Sequence, residues 1–138
     1  MTERLLEPKK GNACYGCGAD NDLGLKMSFI WDEETEKVSA TYSAPKHLCG
    51  YKEFLHGGII ATLLDEVSSK VLTGLYKTGM TRYLNVEYLK PVASEQPLFL
   101  EAHCESVKRS KHFIHACIKN EAGDILAKSE SLFIVLKI

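Results

Sequence analysis

The sequence lacks an excess of charge of either sign. Its 138 residues include 17 Lys or Arg and 18 Asp or Glu, which gives a formal net charge of −1. Domains that neutralise the phosphates of DNA or RNA are normally clearly basic. We therefore expect no nucleic-acid partner for this chain.

The chain also lacks a long uninterrupted apolar run. Residues 2–10 are mostly charged or polar, so we expect no secretory signal and a cytoplasmic protein. The most apolar long segment, from about residue 58 to 78, is interrupted by Asp65, Glu66 and Lys70. Charges in the middle of the segment exclude a membrane span, so we expect no membrane association.

The sequence lacks the second pair of ligands that would complete a structural zinc site. Five cysteines are an odd number, and no second Cys-x-x-Cys or His pair accompanies Cys14 and Cys17. This pair has the spacing of a zinc knuckle, but a structural zinc site needs four ligands. Three other residues, His47, Cys49 and His56, supply the missing ligands only if two loops meet. We therefore expect free thiols, no metal and no cofactor.

The pattern that is present is that of one α+β chain. We expect residues 1–24 to form an N-terminal arm and a Cys-x-x-Cys loop, with the first ten residues mobile, and residues 25–138 to form a single domain. Apolar alternation predicts strands, and a long apolar stretch predicts a helix ending near Gly79. The predicted elements are strands over 25–31 and 37–42, a helix over 58–78, and strands over 81–89, 97–108, 111–120 and 125–136.

The order of these elements predicts how they pack. The last four strands are expected to form an antiparallel meander. A helix that is apolar over most of its surface must be covered nearly all round. A curved antiparallel sheet of about six strands wrapped around a long central helix does this, which is the hot-dog fold.

The start of that helix carries the chemistry. His56-Gly57-Gly58 opens it, and the free N–H groups of a first helical turn, at the positive end of the helix dipole, stabilise a developing oxyanion. Asp65 follows Gly57 by eight residues, close to two turns, and so projects on much the same side. Apolar neighbours predict a buried carboxylate, which marks a candidate catalytic group. Without further context, a solvated aspartate and glycines that only permit close packing explain the motif equally well.

Three segments resemble the hot-dog acyl-CoA thioesterase superfamily, in the branch of phenylacetate-pathway and thioesterase-superfamily proteins. The first is the loop Cys14-Tyr15-Gly16-Cys17-Gly18, followed by Asn21, Gly24 and Leu25. The second is His56-Gly57-Gly58 with Asp65, and the third is the stretch from Asn85 to Pro91. The resemblance covers nearly the whole chain.

The resemblance implies hydrolysis of an acyl-CoA thioester in a homodimer or a dimer of dimers, with each active site shared between subunits. Asp65 is then the general base or the nucleophile; its neighbour Glu66 is the other acidic candidate, and spacing favours Asp65. The N–H of Gly58, together with Gly57, holds the thioester oxygen, and Thr81 helps to place the water. The residues assigned to substrate binding are His56, which we expect to position the loop before the helix, Glu66, Ser69, Tyr83 and Arg109, whose basic turn can meet the phosphates of CoA.

Two other functions stay open at this stage. One is a non-catalytic module that binds acyl-CoA or an acyl carrier through the same helix start. The other, ranked last, is an enoyl-thioester hydratase. Such enzymes usually pair the aspartate with a downstream histidine nearby, whereas no histidine follows Asp65 until His103.

Overall fold

The computed structural model describes residues 2–6 and 11–137, which form one sheet and one long helix. The sheet is antiparallel throughout, and the helix contacts each of its strands. This confirms the α+β class and the helix packed on an antiparallel sheet. The elements are β1 (Glu3–Leu6), β2 (Phe29–Asp32), β3 (Lys37–Ser43), a short 3-10 turn (Lys46–Leu48), α1 (Gly57–Gly74), β4 (Gly79–Tyr88), β5 (Pro97–Lys108), β6 (Lys111–Lys119) and β7 (Ile125–Val135).

The sheet has seven strands, one more than the sequence predicted. The additional strand is β1, which pairs with β2 where we expected a mobile arm. That prediction is wrong for Glu3–Leu6, while Met1 and residues 7–10 lie outside the described part of the chain. The alternating exposure of β1 explains the error, because a four-residue strand at a sheet edge buries too little apolar surface to be recognised in the sequence.

The strand order is β1-β2-β3-β5-β6-β7-β4, so the predicted meander of the last four strands is wrong for β4. This strand pairs with β7, and β5 instead lies beside β3. The connection from β4 to β5 crosses the end of the sheet, where it is tied to the segment before the helix. The N–H of Leu55 donates to Val92 O at 2.7 Å, and that of Ser94 donates to Glu53 O at 3.0 Å. As a result β4 is an edge strand of the sheet.

The helix ends at Gly74, five residues before the predicted stop. Leu75 caps it, and Tyr76 takes the left-handed conformation, with φ of 59°, that we had assigned to Gly79. The N–H of Lys77 reaches Leu72 O at 2.8 Å and that of Tyr76 reaches Thr73 O at 3.0 Å, which is a Schellman ending. Because a tyrosine occupies the position where glycine is usual, the sequence does not signal this helix end.

One side of α1 forms the core and the other is only half-buried. The predicted packing stripe is confirmed, with Ile60, Leu63, Leu64, Val67 and Val71 all buried. The opposite side carries Asp65 and Glu66, both of intermediate exposure. The helix is therefore not covered all round by its own sheet. Among the residues described, no helical segment combines the length and hydropathy that a bilayer span requires.

Gly74 lets the end of α1 pack directly on the indole of Trp31, which is fully buried. A Cβ at this position would overlap the ring of Trp31. Alanine favours a helix over glycine by about 1 kcal/mol, but we expect Gly74→Ala to lower the free energy of unfolding by about 1–3 kcal/mol through overpacking. Urea unfolding measures this, with Thr73→Ala as the control in the same turn. An unchanged or raised stability of Gly74→Ala would contradict the packing argument.

Candidate active site

Helix α1 begins at a histidine cap. His56 has an extended backbone, with φ of −62° and ψ of 137°, and its Nδ1 accepts a hydrogen bond of 2.9 Å from the N–H of Gly58. Its carbonyl accepts the N–H groups of Ile59 and Ile60, at 2.9 and 3.1 Å. The ring of His56 therefore fixes the loop before the helix and satisfies an amide that a helix start normally leaves free.

Gly57 holds the amide that remains available. No acceptor for its N–H is found among residues 2–6 and 11–137, whereas the N–H of Gly58 is engaged by the His56 ring. The sequence placed the oxyanion contact first at Gly58. In the folded chain the free donor at the positive end of the helix dipole is Gly57.

Tyr88, at the end of β4, packs against the helix start. Its hydroxyl donates to Gly57 O at 2.8 Å, and its ring lies 3.6 to 3.7 Å from the place of the missing Gly57 Cβ. A cleft of about 300 Å³ opens beside this contact. It is lined by Phe54, Leu55, Gly57, Ile60, Tyr88, Leu89, Lys90, Pro91 and Val92. Sequence reasoning gave Tyr88 no role, although the residue belongs to the third segment of the resemblance.

Asp65 and Thr81 form a hydrogen-bonded pair across the helix and β4. Thr81 Oγ1 donates to Asp65 Oδ1 at 2.7 Å. Asp65 is half-buried and Thr81 is exposed. A register shift between Thr81 and Tyr83 adds a bulge to β4 at this point, a feature common beside active sites. The second carboxylate oxygen, Oδ2, has no side-chain partner in the described part of the chain.

Glu66 is not part of this group, because consecutive helix residues project about 100° apart. Its side chain is only 12% exposed and lies under the Cys-x-x-Cys loop, where the absence of a Cβ at Gly16 makes room for it. Cys14 Sγ donates to its Oε1 at 3.5 Å, and Lys70 Nζ lies 3.8 Å from its Oε2. Glu66 thus anchors the loop to the helix, and the structure does not bring it to Asp65.

The Cys-x-x-Cys loop also contacts the charged side chain of Lys70. Lys70 Nζ lies 3.0 Å from Cys17 Sγ, and burial raises the pKa of this thiol to about 11, so that it stays protonated near neutral pH. Cys14, Cys17 and Glu66 come close enough to share a metal ion, but the ammonium of Lys70 already places a positive charge among them. The candidate ligands His47, Cys49 and His56 are not in this group.

The remaining predicted substrate residues are spread along the helix and sheet. Ser69 is half-buried and donates its hydroxyl to Glu66 O at 2.8 Å, within the helix. Tyr83 is 48% exposed on β4, two residues beyond Thr81. Arg109 lies in the β5–β6 turn, with φ of 59°, at the end of the sheet where β4 begins. Within one chain, Arg109 is therefore at the opposite end of β4 from Gly57.

Gly57 and Asp65 are too far apart to act on one thioester within a single chain. Eight residues at 1.5 Å each separate them by about 12 Å along the axis. The amide of Gly57 points out of the helix start, away from Asp65, so a bound oxygen lies about 3 Å further still. A base must reach the attacking water at hydrogen-bond distance, and that water must touch the same carbonyl group. Within one chain, Gly57 and Asp65 are therefore two separate candidate groups, which we call half-sites.

Comparison with known proteins identifies the family to which this chain belongs. Residues 52–127 match the thioesterase superfamily. The acyl-coenzyme A thioesterase THEM4 of Rattus norvegicus is 24% identical over 118 residues, which cover 85% of this chain and 51% of the rat protein. The chain spans about half the length of the curated relatives that it matches.

Solved structures agree with the fold. The crystal structure of the thioesterase superfamily protein RHA08564 superposes with a TM-score of 0.82 at 26% identity, over 88% of this chain and 60% of that one. A hypothetical thioesterase from Streptococcus pneumoniae with coenzyme A gives 0.69 at 25% identity, over 72% of this chain and 80% of that one. The predicted hot-dog fold is thereby confirmed.

Proposed function

The chain belongs to the thioesterase superfamily, and on that premise we propose that it hydrolyses an acyl-CoA thioester to the free acid and coenzyme A. The observation that carries the proposal is the hydrogen bond of 2.7 Å between Thr81 and Asp65 on the half-buried side of α1. The coenzyme A present with the S. pneumoniae thioesterase supports coenzyme A as the carrier.

Asp65 is the reacting carboxylate of this proposal. Thr81 donates to Oδ1 and so fixes the plane of the carboxylate, which leaves Oδ2 to take a proton from water or to attack the thioester carbon itself. With Asp65 as the base, water adds to the thioester carbon, the C–S bond breaks, and the leaving thiolate takes the proton that Asp65 removed. With Asp65 as the nucleophile, its attack expels the thiolate, which takes a proton from solvent, and water then hydrolyses the acyl-aspartyl anhydride. The hydroxyl of Thr81 also lies where it can hold the attacking water.

Gly57 supplies the electrostatic half of the reaction. Its unpaired N–H at the start of α1 holds the thioester oxygen and stabilises the negative charge that develops there. The cap from His56 to Gly58 and the bond from Tyr88 to Gly57 O hold this amide in place from both sides. His56 is thus a positioning residue in this proposal, as is Tyr88.

The two half-sites meet in a homodimer formed through β4. This edge strand is ten residues long, and Met80, Tyr83 and Tyr88 on it are exposed. An unprotected edge of this length pairs readily with a second copy, and a two-fold axis makes the pairing antiparallel. With the axis near Leu84 and Asn85, Thr81 lies beside the end of the other β4 that carries the partner's Tyr88, which brings Asp65 towards the partner's Gly57.

The same pairing gives Arg109 a role. The β5–β6 turn lies at the end of the sheet where β4 begins, and antiparallel pairing brings that end towards the helix start of the other subunit. Lys108, Arg109 and Lys111 concentrate positive charge there. We assign this turn to the phosphates of coenzyme A at the mouth of the shared site.

The experiment that tests the function is hydrolysis of short, medium, long and aromatic acyl-CoAs by the purified wild type. Free coenzyme A is followed by chromatography, because thiol reagents also react with accessible cysteines, and all five cysteines of the chain are free. We expect turnover of at least one class. Tight binding across the panel without any release of coenzyme A would contradict the proposal and identify a binding module instead.

A further inference from the structure

Two histidines stand side by side on the face of the sheet that points away from α1. His103 in β5 and His115 in β6 are directly paired, and their ring centroids are 5.8 Å apart. Their strand neighbours Ala102, Ile114 and Ala116 are buried on the helix side, so both rings lie on the outer face. Neither ring belongs to the candidate active site.

A β-bulge adds a carboxylate to this pair. The β5–β6 register shifts between Cys104 and Ser106, which leaves Glu105 without a partner on β6. Bulges redirect side chains in this way. Glu105 Oε2 lies 3.2 Å from His103 Nε2, and one nitrogen of each histidine and a Glu105 oxygen all lie within 4.8 Å of one another.

We propose that His103, His115 and Glu105 form a binding site for a divalent transition-metal ion, with Zn²⁺ as the best match. Imidazole nitrogen and carboxylate oxygen are ligands that zinc favours. Two ligands at about 2.1 Å from zinc and at a tetrahedral angle are about 3.4 Å apart, near the 3.2 Å between His103 Nε2 and Glu105 Oε2. Rotation of the His115 side chain would bring its ring nitrogen to the same ion, because the sheet already holds the backbones of all three ligands in place.

Further carboxylates lie around the two rings. A cleft of about 480 Å³ opens beside them, and its lining includes Glu130 and Lys128 as well as Glu101, which is already paired with Lys119 at 3.0 Å. Glu130 is paired with His115 across β6 and β7, so it lies on the same face and can supply a fourth ligand. Where Glu130 does not bind, the three protein ligands leave a coordination position for water.

The test uses protein without a histidine tag, titrated with Co²⁺ and followed by visible absorption, with Zn²⁺ then added in competition. We expect one saturable site per chain, with the d–d bands of a nitrogen and oxygen site. His103→Ala and His115→Ala should each weaken the affinity at least about tenfold, since even indirect partners of a ligand contribute that much. Glu105→Gln should weaken it in the same direction. His47→Ala, which removes an exposed histidine outside the cluster, should leave the affinity unchanged.

Three results would overturn the proposal. One is the absence of saturable binding by the wild type. Another is an equal loss of affinity in His47→Ala. The third is an intense sulfur-to-cobalt charge-transfer band that survives His103→Ala, because it would assign the ion to the Cys14 and Cys17 pair. Circular dichroism of each variant shows that the fold is retained, which is expected because His103 and Glu105 are partly exposed.

Discussion

Replacing Asp65 with asparagine is expected to lower kcat for acyl-CoA hydrolysis by a factor of about 10²–10⁴, the usual contribution of a general base. Asparagine has nearly the same shape and its amide oxygen still accepts the hydrogen bond from Thr81, so the fold is preserved. It cannot take a proton from water or form an acyl intermediate. Steady-state kinetics with the best acyl-CoA of the wild-type panel measure the loss, and KM should change little.

The matched control is Glu66→Gln, the same chemical change one residue further on. Glu66 lies under the Cys-x-x-Cys loop and contacts Cys14 and Lys70, so its neutralisation should leave kcat close to that of the wild type. Equal losses in both variants would point to a general effect of charge on the helix. A large loss in Glu66→Gln alone would show that the wrong carboxylate has been assigned.

The position of ¹⁸O taken up from labelled water tests whether Asp65 acts as a general base or as a nucleophile. In a single turnover in H₂¹⁸O, a general base directs water to the thioester carbon, and the released acid carries the label. A nucleophilic carboxylate first transfers its own oxygen to the acyl group when water attacks the aspartyl carbonyl, and the label then remains on Asp65. Label on the peptide containing Asp65, measured by mass spectrometry, would establish the nucleophilic role, whereas label confined to the acid is the result expected of a general base.

Most of the secondary structure could be predicted because local patterns encode it. The bounds of β5 were predicted to the residue, and those of β6 and β7 to within one residue at one end. Alternation does not encode which strands pair, so the position of β4 beside β7 was missed. The helix end was missed for a similar reason, since Tyr76 holds a left-handed conformation through its hydrogen bonds and without glycine.

The candidate site shows the same division between local and distant information. The spacing of Gly57 and Asp65 on one helix could be found in the sequence. The role of His56 in positioning the loop before the helix was also expected, and its ring accepts from Gly58. The bond from Tyr88 to Gly57, in contrast, joins residues 31 positions apart. The pairing of His103 with His115 depends on the register of β5 and β6. Neither of these last two contacts has a signature in residue spacing.

Gly57→Pro is expected to remove the oxyanion contact without removing the helix, and to lower kcat by a factor of about 10²–10³. Proline has no N–H, yet it suits the first position of a helix, and His56 already has the extended conformation that a residue before proline needs. The ring of Tyr88 lies at ordinary contact distance from an added Cβ. Gly57→Ala keeps the N–H and is the control, with activity expected near that of the wild type.

Mixing two inactive variants should restore activity, because the proposed site takes Gly57 from one subunit and Asp65 from the other. Asp65→Ala and Gly57→Pro chains, unfolded together in equal amounts and refolded, give half heterodimers by random association, each with one intact site. The expected activity is about one quarter of that of the wild type.

The reverse control mixes the wild type with a chain carrying both substitutions. If the site is shared, the heterodimers of this control have no intact site. If the site is contained in one chain, the mixture keeps half of the wild-type activity. An absence of rescue, together with half activity in the control, would show that Gly57 and Asp65 act within one chain, against the axial distance between them.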